Sequence, residues 1–145
     1  MTELTSGTLV VVADGEKALF LVNEGDADHP NLVVVREIEH PNPPTREQGS
    51  DRPGRYNDGP SVHRSAVEDT DWHRLEKERF AKELCDRLYR MAHAGRFQRL
   101  IVVAPPRILG EIRKDMHKEV AERVVKEVAK ELTGHPVDRI EQLIA

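Results

Sequence analysis

Glu119–Leu132, EVAERVVKEVAKEL, is the stretch whose conformation settles the topology. Val120, Val124 and Val128 recur every four residues, which is helical spacing. Arg123–Val128, RVVKEV, carries instead the β-branched content of a strand. Read as helix, the chain would run unbroken from Pro106 to Leu132, a rod of about 40 Å. Such a rod is too long for a chain of 145 residues unless it projects. The reading adopted is a helix from Pro106 to near His117 and a strand over Val124–Ala129.

Upstream, Leu100–Ala104 (LIVVA) is a continuous apolar run, the signature of a strand covered on both faces. Pro105-Pro106 ends it, and Pro106 suits the first turn of a helix. Ile108, Leu109, Ile112 and Met116 give that helix its apolar face, and Pro136–Ile144 predicts a short final helix. Before the central strand, Trp72, Leu75, Phe80, Leu84, Leu88 and Met91 form a helical stripe. That helix is expected to start near Asp71, capped by Thr70 or Asp71, and to stop at Gly95.

Pro41–Glu68 has no apolar period and holds five prolines and three glycines. It predicts a long mobile loop over residues 41–69 within a single domain spanning 1–145. Nearer the start, Thr8–Ala13 and Ala18–Asn23 flank Asp14-Gly15, a hairpin signal. Leu32–His40 follows as a third antiparallel strand. Plain alternation puts Val33, Val35 and Glu37 on one side and Val34, Arg36 and Ile38 on the other. Val10, Val12, Leu19, Leu21, Val33, Val35, Ile101, Val103, Phe80, Leu84 and Leu88 are expected to form one core cluster.

Composition narrows the class. The 22 basic and 26 acidic side chains leave a net charge of −4, so the whole molecule offers no field for a polyanion. The charge is uneven, however: residues 1–40 carry −6 and residues 72–99 carry +4. Cys85 is the one cysteine, so no internal disulfide forms and no multi-cysteine zinc site is built. Its place beside Leu84 predicts a buried, inert thiol. No apolar run approaches the roughly 20 residues of a membrane span, and the polar start MTELTSG does not read as a signal peptide. A cytoplasmic protein without membrane contact is expected.

Five segments together resemble the bacterial host attachment protein family. They are VVVADGEKALFLV (Val10–Val22), SDRPGR (Ser50–Arg55), RFAKEL (Arg79–Leu84), LIVVAPPRILGEIR (Leu100–Arg113) and VAKELTGHPVDRIEQLI (Val128–Ile144). The family name describes a phenotype and implies no chemistry. The family is in turn similar to the central domain of peptide-chain release factors and Pelota. That resemblance implies an α/β, ribonuclease-H-like fold: a mixed five-stranded sheet of order 3-2-1-4-5 with helices on both faces. It also favours the strand at Val124–Ala129.

Three chemistries bear on these residues. A two-metal nuclease needs several carboxylates converging on ions about 4 Å apart. Asp14 sits where the first would stand, but the fourth strand ends in Ala104-Pro105 where another is needed, and Asp-Gly is an ordinary turn pair. Release factors carry a Gly-Gly-Gln tripeptide, and this sequence contains none. The seven histidines form no tight ligand pair. Arg52, Arg55 and Arg64 with Tyr56 have the chemistry to grip phosphates and stack on bases, although acids lie among them. Arg107 and Arg113 stand near the end of the fourth strand, where ligands of open α/β sheets bind. These six residues are the candidate nucleic-acid or partner contacts. The expected function is a non-enzymatic interaction module acting on the ribosome or structured RNA, with no catalytic residue, metal or cofactor. The alternatives are a nucleic-acid hydrolase of ribonuclease-H-like fold, active or degenerate, and an oligomeric stress-response protein whose long loop swaps or docks between subunits; a protein partner stands beside RNA as a candidate.

Overall fold

The computed structural model describes residues 4–39 and 59–144, with side chains over 4–39 and 74–144. The strands are β1 (Leu9–Ala13), β2 (Lys17–Asn23), β3 (Leu32–Glu39), β4 (Leu100–Ala104) and β5 (Val124–Ala129). The helices are α1 (Gly59–His93), α2 (Pro106–Asp115), α3 (Lys118–Ala121) and α4 (Val137–Ile144). The sheet order is β3-β2-β1-β4-β5. β1 pairs antiparallel with β2 and parallel with β4, and β5 runs parallel to β4, so the sheet is mixed as expected.

β1 and β4 are buried along their whole length, which is why both read as unbroken apolar runs. Their side chains divide the core in two. Leu9, Val11, Leu100 and Val102 face α1, α2 and α3, against Phe80, Leu84, Leu88 and Ile112. Val10, Val12, Ile101 and Val103 face the other way, against Leu132, Ile140 and Ile144. The single expected cluster is therefore two, separated by the sheet. Phe80, Leu84 and Leu88 never meet Val10 or Val103, because successive strand side chains point to opposite faces.

β3 departs from plain alternation. Phe20 pairs with Arg36 but Leu21 pairs with Val34, so Val35 is an extra residue, a β-bulge. The bulge shifts the phase. Arg36 lies opposite Phe20 and Ile38 opposite Ala18, on the α1 side, while Glu37 lies opposite Leu19. Val35 is 54% exposed and is not core.

α1 begins at Gly59, twelve residues before the expected Asp71, and is 35 residues long. The correction has a simple reason. Pro60 fits a first helical turn, and from Ser61 to His93 the sequence contains neither proline nor glycine. The loop expected over 41–69 thus gives way to helix from residue 59, and the mobility expected of 41–58 falls on residues outside those described. α1 ends as expected at Gly95, whose φ of +72° glycine adopts without steric cost. Gly95 N–H donates to Ala92 O at 2.9 Å and Arg96 N–H to Met91 O at 2.9 Å, a Schellman turn. Leu75 belongs to the apolar stripe but is 46% exposed.

Candidate functional site

The parallel strands β1, β4 and β5 end on one side of the sheet, the side where Asp14 and Arg107 were singled out. Asp14 is fully engaged in holding the hairpin. Its Oδ1 accepts from the N–H groups of Glu16 (2.7 Å) and Lys17 (2.8 Å), an Asx turn. Its Oδ2 accepts from Thr133 Oγ1 at 2.7 Å, tying the hairpin to the segment after β5. Among the described residues no three His, Cys, Asp or Glu side chains converge on one point.

Beside this turn lies a cleft of about 670 Å³ between the hairpin, α1 and the start of α2. Arg74, Lys77 and Arg107 line it, and so do Glu16, Glu78 and Glu111. Three cations and three carboxylates cancel, so the cleft projects little field of either sign. Lys77 lays its stem against Gly15, where any Cβ would come within 2.8 Å of it. Arg113, though on the same helix as Arg107, does not join it. Its Nε donates to Glu127 Oε1 at 2.7 Å, clamping α2 to β5, and this bond raises its pKa further. Arg52, Arg55 and Tyr56 lie outside the described residues. Arg64 falls within α1, and its side chain is outside the described residues.

Cys85 is buried between α1 and α2, with its Sγ donating to Ile112 O at 3.3 Å. Burial pushes its pKa from 9.0 up to about 12, with the carboxylates of Asp115 and Asp86 adding to the shift.

A second basic surface stands at the other end of the described part of α1, roughly 20 Å from Arg74 along the helix. Here Arg36 from β3 meets Arg87, Arg90 and Arg96 around a groove of about 430 Å³. Sequence patterning did not single these residues out. The +4 charge over residues 72–99 was the available signal for three of them. Nothing in spacing joins Arg36 to that set, because its side depends on the bulge at Val35.

A solved structure of Saccharomyces cerevisiae Dom34 is described as a translation termination-like factor involved in RNA quality control pathways and interacting with Hbs1. It is similar over 97% of this chain and 34% of its own, at 11% identity and a TM-score of 0.45. Uncharacterized protein RP470 of Rickettsia prowazekii (strain Madrid E) is 34% identical over 53 residues, 37% of this chain and 35% of that relative. The match thus spans about a third of that relative's length. No helix among the described residues is long and apolar enough to cross a membrane. The family model for the bacterial archaeo-eukaryotic release factor family 12 matches residues 7–144, nearly the whole chain, and the protein belongs to that family.

Proposed function

We propose that this protein is a non-enzymatic, cytoplasmic module that associates with the ribosome through RNA. The observation that carries the reading is the release-factor family match, which extends over residues 7–144. The engagement of both Asp14 oxygens in hydrogen bonds that hold the hairpin supports a structural role for this carboxylate. The sequence lacks Gly-Gly-Gln, which argues against peptidyl-tRNA hydrolysis by the release-factor route. Arg52, Arg55, Tyr56 and Arg64 are proposed to extend the contact. Arg107 is a weaker contributor because its cleft is charge-balanced.

The test is pelleting with purified ribosomes through a sucrose cushion at about 50 mM and about 500 mM salt, since phosphate contacts weaken as counterions accumulate. The protein is expected in the pellet at low salt and in the supernatant at high salt. Protein that stays in the supernatant at both contradicts the reading. In parallel, labelled RNA incubated with the protein in Mg²⁺ or Mn²⁺ should remain intact. Cleavage that disappears in Asp14→Asn would overturn the non-enzymatic part.

A further inference from the structure

We propose that the groove between β3 and the C-terminal half of α1 binds the phosphodiester backbone of RNA, gripped by Arg36, Arg87, Arg90 and Arg96. This rests on the RNA-directed reading above and names the surface that performs it.

Composition is the first argument. Among the described residues, four arginines line the groove and no carboxylate does. The sequence has 26 acidic side chains to 22 basic ones, so partners for arginine are plentiful elsewhere. Arg79 pairs with Glu76, Arg113 with Glu127 and Arg123 with Glu119. None of the four groove arginines makes an ion pair or side-chain hydrogen bond among the described residues. Each guanidinium carries five N–H donors, and among the described residues none of these has a side-chain partner.

The second argument is cost. Partial burial lowers the pKa of Arg87, and the charges of Arg36 and Arg90 lower it further, with Glu83 opposing. Like charges held together with only partial compensation repel, and an anion between them removes that repulsion. Planar guanidinium groups match phosphate oxygens two bonds at a time.

Local devices of the fold assemble the set. The bulge at Val35 turns Arg36 to the α1 side, opposite Phe20. Arg87 and Arg90 are three apart and share a helix face. The Schellman turn at Gly95 folds Arg96 back toward Met91, and both line the groove. Val35 and Met91 supply apolar surface beside the arginines, which suits bases next to a bound backbone. An adjoining hollow shares Arg87 and Arg90 but adds Glu39, Glu83 and Asp86. Those acids repel phosphate and confine the track to the end nearest Arg96.

The test uses the full-length protein and a fluorescein-labelled RNA hairpin, read by anisotropy between about 50 and about 200 mM salt. Three or four phosphate contacts predict a log–log salt slope of about −3. Arg87→Gln/Arg90→Gln/Arg96→Gln should weaken binding at least about tenfold at low salt and flatten the slope to about −1. Lys114→Gln/Lys118→Gln/Lys130→Gln removes the same charge from exposed positions elsewhere and should stay within about threefold of wild type. Should the first variant misfold, Arg36→Gln/Arg96→Gln, at exposed positions, decides instead by the same criterion. Equal losses in the groove and control variants would mean that net charge binds the RNA, and would overturn the proposal. So would wild-type affinity in the groove variants, or no binding by wild type. Ribosome pelleting separates the two readings. If the groove variants pellet like wild type, the groove fails and ribosome association stands. If hairpin binding depends on the groove but wild type does not pellet, the groove stands and ribosome association fails.

Discussion

Asp14 and Cys85 show how much a single residue's role depends on its neighbours. In the sequence, Asp14 is both a turn former and a seed for metal chemistry, and three hydrogen bonds show it holding the turn. Cys85 sits on α1 with its thiol held against the Ile112 carbonyl. Its pKa, raised from 9.0 to about 12 by burial and then by Asp115 and Asp86, leaves no thiolate at neutral pH. The native protein should not react with a thiol reagent at pH 8, and the unfolded protein should. Linkage gives a second consequence. Between pH 9 and 12 the unfolded thiol loses its proton while the folded one keeps it. Stability is therefore full below about pH 9 and falls as pH rises toward 12. Urea unfolding at stepped pH should show this decline in wild type and a shallower one in Cys85→Ala. Identical slopes would contradict the account.

At the scale of elements, legibility followed burial. β1 and β4 are covered on both faces, and their apolar runs marked them without ambiguity. β5 is an edge strand whose valines are only half buried. A register shift after Leu100 makes Val125 extra, so Val125 and Val128, three apart, share a face. That spacing imitates a helix, and topology rather than periodicity was what identified the strand. The bulge in β3 was invisible for the same reason, since alternation assumes one residue per pair. The early start of α1 was masked by Gly59-Pro60, which punctuates a loop and opens a helix equally well. Packing then ranks the elements' contacts. Leu84 is fully buried where α1 meets the sheet, and Leu84→Ala should cost on the order of 2–5 kcal/mol. The exposed Arg113–Glu127 clamp should matter far less, so Arg113→Ala should destabilise much less than Leu84→Ala. Urea unfolding of both variants checks the order, and equal losses would mean that core and surface have been misassigned.

Across the whole molecule, the net charge of −4 hides a local surface of the opposite sign. Average charge argues against polyanion binding, and composition points instead to the Pro/Gly-rich segment that holds Arg52, Arg55, Tyr56 and Arg64. The groove is built otherwise, from one strand, one helix and one turn that are 60 residues apart at the extremes of Arg36 and Arg96. Such a site is legible only once the chain is folded, whereas the strand-end cleft was foreseeable from topology alone and proves electrically balanced. Hydrogen exchange of the protein alone and bound to ribosomes distinguishes these surfaces most directly. The account predicts slower exchange over Val34–Ile38 and Arg87–Arg96, with Asp14–Lys17 unchanged and Arg107–Asp115 affected far less. Protection at the hairpin and α2, with none along the arginine groove, would contradict it.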